Sequence, residues 1–341
     1  MNVHPGPRNL ITDVEGVMVG NAHDEGLRSG VTVLLPGDKA VAGLEIRGGA
    51  PGTRETDAAD PSCLVDHVHG IVLAGGSVFG LAAADAVTNW LAARGTGFSF
   101  RQQPHVCPIV QAANLFDLTN GGDKTWGEQP PYHALGTQAC AAAGETFALG
   151  NAGAGQGALA GIYKGGLGSA SAKWGNYTAG AIVAVNSFGS PVIPGTGRLW
   201  AGELELNGEF GGRPAGEILP AGTNPEAETK AQRLRSAATA GQNTTIGAVA
   251  TNAPLSPAQA QRLAIMAADG LPRAVRPIHT PFDGDVVFAV ATGTDEGEVS
   301  PLDLAFLGTV AADCMARAIG RAIWEAETVG DWLSYREAHG R

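Results

Sequence analysis

The sequence predicts a compact fold that combines β-strands with α-helices, on three observations. Apolar residues make up 44% of the 341 residues, enough to fill the core of one large domain or two ordinary ones. Short β-branched runs bounded by turn residues are typical of strands, and longer segments with apolar residues at helical spacing are typical of helices. The 50 glycines are spread through apolar segments without a period, which indicates tight turns and close backbone approaches.

Charge and composition exclude several classes of function. A formal net charge of −11 disfavours a nucleic-acid partner. No apolar run reaches the ~18 residues of a membrane span, and the first residues contain no signal-peptide core, so no membrane partner is expected. The four cysteines lie far apart without a Cys-x-x-Cys pair. They predict free thiols in a reducing compartment, hence a cytoplasmic protein without a closed zinc site.

The N-terminal half begins with β-branched and apolar runs that predict strands at Gly30–Leu35 and Ala40–Ile46, around the turn Pro36–Lys39. A glycine-rich loop, Arg47–Thr56, precedes a short apolar strand at His69–Leu73. The hydroxyl of Ser77 is a predicted N-cap for a helix over Val78–Arg94. The Gly-Gly-Ser turn before this helix lacks the Lys-Ser/Thr ending of a phosphate loop and the spacing of a dinucleotide fingerprint, which favours close packing over nucleotide binding.

The middle of the chain alternates polar loops with regular elements. A loop rich in Gly, Asp and Pro is expected at Asn120–Pro131, helical periodicity at His133–Ala148, and an irregular glycine-rich segment at Asn151–Ala158. Apolar runs predict strands at Leu167–Lys173 and Gly180–Val185, the second ending at Asn186. A polar linker is then expected from Gly211 to Asn243, with a helical patch at Ala227–Ala240.

The last third resumes regular structure. The β-branched run Thr244–Thr251 predicts a buried strand. Ser256-Pro257, an N-cap followed by proline, predicts the start of a helix that runs to Ala268. Strands are expected at Arg273–His279 and Asp285–Thr292, and apolar spacing predicts a final helix over Leu302–Thr328.

The junction between Asn243 and Thr244 is the candidate centre of chemistry, because a polar linker there runs into a core strand whose first residue carries a hydroxyl. If the hydroxyl of Thr244 attacked the carbonyl of Asn243, an N-to-O acyl shift followed by hydrolysis would cut the chain. Thr244 would then hold both a nucleophilic hydroxyl and a free α-amine, whose pKa of about 7.7–8.0 suits a general base. Thr-Thr before an apolar run is also ordinary strand composition.

Several long motifs carry a resemblance to a known family. The stretches are NTTIGAVATNAPLSPAQAQRLA, RGGAPGTRETD, LAGGSVFGLAAADAV, NAGAGQGALAG and HTPFDGDVVFAVATG. Together they resemble the DmpA-type aminopeptidases, which include β-aminopeptidases and endo-type 6-aminohexanoate (nylon) oligomer hydrolases. The match extends from about Leu10 to Ala326.

The resemblance implies an α+β fold, a four-layer αββα sandwich, in a single hydrolase domain over residues 1–341. It also implies autocatalytic cleavage into residues 1–243 and 244–341, and a homo-oligomer, a tetramer of such pairs. The substrates would be short peptides, β-peptides or 6-aminohexanoate oligomers. No cofactor or metal is implied.

The same resemblance assigns candidate site residues beside Thr244. Asn186 matches an asparagine that helps bind the developing oxyanion. Lys173 matches a lysine close to the nucleophile, with Lys164 as the alternative, since the spacing differs by one residue. Phe116 lies where many relatives have a tyrosine, and Asn151 is expected to line the same pocket.

Asp283 and Asp285 are the candidate carboxylates. Two residues apart in an extended segment, they project to the same side. With the family match they would orient the α-amine of Thr244 or hold a substrate ammonium; the alternative is that Asp-Gly is simply turn chemistry. The β-aminopeptidases have Ser and Glu around this position, so their substrate preference is not carried over.

Three histidines have structural explanations. His67 and His69 lie two residues apart with no third ligand close in sequence, so a metal site is not expected. His279 is expected to be a hydrogen-bonding residue rather than a second base. Two other hypotheses stay open at this point: an acyltransferase of the ornithine acetyltransferase type, and a glycine-rich binding module that never cleaves.

Overall fold

Two β-sheets packed face to face form the centre of the fold, and helices cover the outer face of each. The computed structural model describes residues 3–37, 40–99, 104–212, 224–231, 243–293, 297 and 299–340. This arrangement confirms the expected four-layer αββα sandwich.

The strands follow in chain order. They are β1 (Met18–Asp24), β2 (Ser29–Leu35), β3 (Ala40–Ile46), β4 (Thr53–Arg54), β5 (His67–Val68), β6 (Gly70–Ala74), β7 (Phe98–Ser99), β8 (Val106–Cys107), β9 (Val110–Asn114), β10 (Leu159–Ala160), β11 (Tyr163–Lys164), β12 (Gly166–Trp174), β13 (Tyr177–Asn186), β14 (Val192–Ile193), β15 (Arg198–Leu199), β16 (Thr244–Thr251) and β17 (Val286–Ala291).

The α-helices of the described residues are α1 (Ala83–Ala92), α2 (Tyr132–Ala141), α3 (Pro257–Ala268), α4 (Gly270–Ala274), α5 (Pro301–Glu325) and α6 (Tyr335–Ala338). Short 3₁₀ segments lie at Ile11–Asp13, Thr56–Ala59, Ser77–Ala82, Gly153–Gly155 and Trp200–Leu204.

Strand order defines the two sheets. One has five strands in the order β1-β2-β6-β9-β4, and the other has six in the order β12-β13-β16-β17-β3-β5. The pairs β6–β9 and β16–β17 are parallel, and the other pairs of both sheets are antiparallel. β16 and β17 therefore lie in the middle of the larger sheet.

The cores explain why the central strands are continuously apolar. Leu34, Ile71 and Phe288 pack with other side chains between the two sheets. On the outer faces, α1 and α2 cover the five-stranded sheet, while α3 and α5 cover the six-stranded sheet. In β16, Ile246 enters the core between the sheets and Val249 the core beneath the helices. A strand buried on both faces needs no polar alternation.

Most predicted elements are confirmed within a few residues. The strands β2, β3, β12, β13 and β16 occupy their predicted positions, as do α3 and α5. The loop Asn120–Pro131 contains no regular element. Asp38 and Lys39 of the predicted turn, and residues 213–223 and 232–242 of the predicted linker and helical patch, lie outside the described residues.

The predicted strand Arg273–His279 is wrong. α4 extends through Ala274, and the one strand-like contact of this segment is a bridge between Arg276 and Ser190. Pro277 follows directly, and proline has no N–H to donate to a ladder. The predicted helix at His133–Ala148 is too long, because α2 ends at Ala141.

The prediction that Ser77 caps a helix is also wrong. Ser77 has a φ of +53° and lies inside a 3₁₀ turn that begins after Gly76. An N-cap residue normally has an extended backbone, which positions its hydroxyl toward the first turn, and a left-handed residue does not. Its side chain makes no capping hydrogen bond.

Gly168 tests the close packing of α5 on β12. A Cβ added there would lie 1.9 Å from the carbonyl oxygen of Ala318 in α5. Because helix backbone cannot yield easily, we expect Gly168→Ala to lower the free energy of unfolding by about 2 kcal/mol or more. Denaturant unfolding measures this. Gly144→Ala, where a Cβ meets nothing within 4 Å, is the control and should cause little change. Equal effects of both substitutions would contradict the packing argument.

Candidate active site

Strand direction collects the predicted site residues at one edge of the six-stranded sheet. β16 and β17 are parallel, so Thr244 at the start of β16 lies beside the residues that precede β17. β13 runs antiparallel to β16, and its last residue, Asn186, pairs directly with Thr244. Directly opposed residues of antiparallel strands have Cα atoms about 4.5–5.5 Å apart.

The peptide bond before Thr244 is buried and held on both sides. The hydroxyl of Thr244 donates to the carbonyl oxygen of Asn243. The N–H of Gly284 donates to the same oxygen at 2.9 Å. Asn243 is fully buried, and its side-chain amide has no hydrogen-bond partner among the described residues. A hydroxyl therefore lies against a carbonyl whose oxygen already has a backbone donor.

Asn186 is fixed by a dense set of hydrogen bonds. Its Nδ2 donates to the carbonyl oxygen of Phe116 at 2.9 Å. Its Oδ1 accepts from the N–H of Leu159 at 2.9 Å, from Lys230 Nζ at 3.2 Å and from Asn120 Nδ2 at 3.3 Å. A side chain with this many partners and no exposed surface has one orientation.

The two aspartates bind backbone on either side of the Thr244 junction. Asp285 accepts from the N–H of Thr245 at 2.7 Å and lies 2.8 Å from His279 Nδ1. Asp283 accepts from the N–H of Phe188 at 3.1 Å and from the hydroxyl of Thr280 at 2.6 Å. Burial, and then the neighbouring Asp285 carboxylate, raise the pKa of Asp283. Each carboxylate thus holds a chain segment next to the end of β13 or the start of β16.

Lys173 does not join this group. It pairs with Thr178 at the opposite end of β12 and is exposed, because the antiparallel register leaves only the start of β12 at the Asn186 edge. Lys173 lies seven positions after Gly166 along the strand, about 23 Å at 3.3 Å per residue. The role predicted for Lys173 is therefore corrected.

The alternative, Lys164, lies at the correct edge. It is buried, and its Nζ donates to the carbonyl oxygens of Gly155 at 3.0 Å and Gly165 at 2.7 Å. Its strand partner, Leu159, is the residue whose N–H binds Asn186. Burial lowers the pKa of Lys164 to about 7, against a smaller opposing effect of the Asp117 carboxylate.

An open cleft of about 530 Å³ reaches Thr244 from the surface. Phe116 lines it, as predicted, together with residues of the loop before β4 and of the 3₁₀ turn after β6. The lining residues are Ala50, Pro51, Gly52, Thr53, Ser77, Val78, Leu81, Asn114, Phe116 and Thr244. None of these side chains is charged.

Asn151 is directed elsewhere. Its Nδ2 donates to the carbonyl oxygen of Glu327 at 3.0 Å, and its Oδ1 accepts from the N–H of the same residue at 3.2 Å. Both polar atoms thus fasten the chain after α5, and Asn151 is absent from the lining of the cleft. The predicted pocket role fails because these backbone groups engage the side chain.

Three polar residues of the site were not predicted from sequence. Lys230 and Asn120 bind Asn186, and Asn114 lines the cleft. Asn120 lies in a predicted loop and Lys230 in the helical patch predicted within the polar linker, and neither pattern indicated a contact with Asn186. Asn114 is the last residue of β9, whose sequence VQAAN also contains Gln111, so its polarity alone did not mark it as a site residue.

The histidines are explained by local hydrogen bonds. His69 accepts from the N–H of Ile109 at 3.0 Å, and His67 contacts Asp66. His279 binds Asp285, as a hydrogen-bonding histidine should. Within the described ranges, no group of three or more His, Cys, Asp or Glu side chains could hold a metal ion.

With the geometry established, comparison with known proteins identifies the family. The chain matches peptidase family S58 over residues 9–333. The protein belongs to this family. It is 42% identical over 353 aligned positions to an uncharacterized aminopeptidase of Mycobacterium tuberculosis (strain ATCC 25618 / H37Rv), covering 96% of this chain and 97% of the relative. This family member is an amide-bond hydrolase, and family membership does not favour the acyltransferase hypothesis.

Other relatives extend the comparison. A 6-aminohexanoate-oligomer endohydrolase of Kocuria sp. (strain KY2) is 30% identical over 334 positions, covering 92% of this chain and 86% of the relative. The solved structure of an Ochrobactrum anthropi L-aminopeptidase D-Ala-esterase/amidase, described as a variant of the Ntn hydrolase fold, matches with a TM-score of 0.72 at 23% identity, over 100% of this chain and 97% of that one. A Burkholderia sp. beta-aminopeptidase matches with a TM-score of 0.70 at 23% identity, over 98% and 93%. These structures confirm the fold.

Across the described portion of the chain, no helix combines the length and apolar character needed to cross a membrane.

Lys164 should make stability depend on pH. The folded-state pKa is lowered to about 7, whereas an exposed lysine titrates near 10.4, so the unfolded chain binds more protons between these values. The free energy of unfolding of the wild type should therefore rise from about pH 7 toward pH 10 relative to that of Lys164→Met. Denaturant titrations of both proteins at about pH 6 and pH 9 measure the gap. A gap that does not change with pH would contradict the assignment.

Proposed function

We propose that this S58 peptidase cuts its own chain between Asn243 and Thr244 and then uses Thr244 as an N-terminal nucleophile. One observation carries the proposal: the Thr244 hydroxyl contacts the carbonyl oxygen of Asn243, which also accepts the Gly284 N–H. The donor on that oxygen would stabilise negative charge as the hydroxyl oxygen attacks the carbonyl carbon.

The cut proceeds by an acyl shift. The Oγ of Thr244 bonds to the carbonyl carbon of Asn243 while the hydroxyl proton passes to the leaving amide nitrogen, and the C–N bond breaks. An ester now joins the two residues. The α-amine of Thr244 is already free at this stage. Water then adds to the ester and releases the carboxylate of Asn243 and the hydroxyl of Thr244.

Hydrolysis of substrate would repeat this chemistry in two stages. The α-amine of Thr244, with a reference pKa of about 7.7–8.0, takes the hydroxyl proton as Oγ attacks the substrate amide carbon. The amine half of the substrate leaves with a proton, and the acyl half remains as an ester. Water then releases the acid. We assign Asn186 and the Gly284 N–H to the oxyanion, and Asp283 and Asp285 to orientation of the Thr244 segment.

The substrates we propose are short peptides or amide oligomers. The S58 family and the endohydrolase relative support an amide substrate. The cleft of about 530 Å³ beside Thr244 is large enough for a short segment of such a chain. Asp283 and Asp285 already bind backbone N–H groups, the Thr280 hydroxyl and His279, which does not support direct binding of a substrate ammonium by this pair.

We also propose that the enzyme works in the cytoplasm as a homo-oligomer of processed pairs. The thiols support a reducing compartment, since Cys63, Cys107, Cys140 and Cys314 are all free. Light scattering of the purified protein measures the mass of the assembly. A mass equal to a single pair of pieces would contradict the proposed homo-oligomer.

Thr244→Ala tests the nucleophile. It should abolish both self-cleavage and amide hydrolysis, because alanine has no hydroxyl to attack Asn243. Intact mass spectrometry should show residues 1–243 and 244–341 for the wild type and one full-length species for the variant. Thr244→Ser, which keeps the hydroxyl, should still cleave. A wild-type chain that stays whole on long incubation while hydrolysing amides would refute the N-terminal nucleophile.

Gly284→Ala tests the arrangement around the scissile bond. A Cβ at this position would lie 2.8 Å from Thr244 Oγ and 2.6 Å from the carbonyl oxygen of Ala50. The collision should displace the hydroxyl and the Gly284 N–H together, and we expect the cut to slow by about 100-fold or more. The time course of full-length protein measures the rate, with Gly144→Ala as control. Unchanged cleavage in Gly284→Ala would contradict the geometry.

A further inference from the structure

Three polar side chains that the mechanism does not use line the cleft beside Thr244, and Asn114 is the carboxamide among them, with the hydroxyls of Thr53 and Ser77 as the others. Asn114, the last residue of β9, lines the cleft and is 7% exposed. Its backbone N–H donates to the carbonyl oxygen of Gly52 at 3.0 Å, which fixes the strand end against the loop. Its carboxamide has no hydrogen-bond partner among the residues that the structure describes.

The Oδ1 and Nδ2 atoms of Asn114 line an open cleft and are not among the buried side-chain atoms that lack a hydrogen-bond partner. A substrate that fills the cleft would remove these atoms from water, which costs free energy unless the substrate supplies hydrogen bonds in return. Gly52 allows the carboxamide to lie against the backbone, since a Cβ there would be 2.4 Å from Asn114 Nδ2. The side chain is therefore accommodated in the cleft wall with its donors and acceptor unused.

The surroundings limit what Asn114 can bind. Pro51, Val78, Leu81 and Phe116 give the cleft an apolar wall, and no lining side chain is charged. A substrate ammonium would lose its hydration there without gaining a carboxylate. A neutral amide would instead find both an N–H donor and a C=O acceptor in one carboxamide.

Ser77 lines the same cleft as Asn114. Its φ of +53° is uncommon for a residue other than glycine, and such backbone strain often accompanies functional sites. Its N–H donates to the carbonyl oxygen of Leu115 at 2.9 Å, so the turn is tied to the residue after Asn114.

We propose that Asn114 is a specificity-determining residue that binds a second, uncharged amide of the substrate while Thr244 attacks the first. This inference rests on the proposed function and narrows its substrate class. The enzyme would act within peptides or amide oligomers, or on N-acylated ones, in preference to substrates whose only neighbouring group is a free amine.

Matched p-nitroanilides separate the two classes. The set consists of 6-aminohexanoyl and glycyl anilides, each with a free amine and with an N-acetyl group, and hexanoyl and acetyl anilides that lack nitrogen on the acyl side. The reference is whichever of the two N-acetylated anilides the processed wild type hydrolyses faster. Its kcat/KM should be about tenfold or more above those of the free-amine anilide and the anilide without acyl-side nitrogen of the same acyl length. Equal rates, or a preference for the free amine, would overturn the inference.

Asn114→Ala should remove this preference. We expect its kcat/KM for the N-acetylated substrate to fall about tenfold while that for the anilide without acyl-side nitrogen changes less than about twofold. Asn89→Ala, the same exchange at an exposed position of α1, is the control and should leave the ratio unchanged. An unchanged ratio in Asn114→Ala would contradict the assignment.

Asn114→Asp supplies a readout that a merely structural role would not move. It keeps the shape of the side chain and introduces a negative charge, so the preference should turn toward the free-amine substrate. Self-cleavage, measured by mass in every variant, keeps the two proposals apart. Normal self-cleavage and amide hydrolysis without a preference that depends on Asn114 would refute this inference alone. Absence of self-cleavage and of amide hydrolysis in the wild type would refute the proposed function.

Discussion

The direction of the strands in the six-stranded sheet is the constraint on which the site depends. Because β13 ends where its antiparallel neighbour β16 begins, Asn186 and Thr244 are opposed. Because β17 is parallel to β16, the turn before β17 reaches the same edge. A slip of one residue in either pairing would turn every side chain of the strand to the other face and separate these groups. The apolar cores on both faces of β16 fix the register, so packing far from Thr244 positions its hydroxyl.

The charged side chains at this edge form hydrogen bonds with the backbone rather than with solvent. Asp283 and Asp285 accept N–H groups from the segments that follow Asn186 and Thr244. Lys164 donates to backbone carbonyls, and its lowered pKa reflects how little water it contacts. The charges of Asp283, Asp285 and Lys164 are tolerated at this depth because each has hydrogen-bond partners, and these bonds hold the chain on both sides of the junction.

The sequence predicted most of the framework because periodicity reports burial. The apolar runs of β13 and β16 and the capped start of α3 were sufficient for those elements. Local sequence patterns do not report which strands and side chains pair in the fold. Lys173 and Lys164 are both lysines near a strand end, and only the register of β12 on β13 separates them. The side chain of Asn151 was a candidate for the pocket, but in the fold it binds the backbone of Glu327. Asn114 and Lys230 become significant only when β9 and the segment before the junction are seen beside Asn186 and the cleft.

The central position of β16 and β17 has a consequence for the lifetime of the enzyme if it cuts itself as proposed. Both strands would belong to the piece that begins at Thr244, and they lie between β13 and β3, which would belong to the other piece. Arg317 of α5 is also paired with Glu209 across the same division. The two pieces would be interlocked, and we expect that one could leave only by global unfolding. Reassembly would then require two separate chains to meet, and recovery after denaturation would become second order in protein concentration. A single cut would thus leave the folded enzyme resistant to dissociation but slow to refold after denaturation.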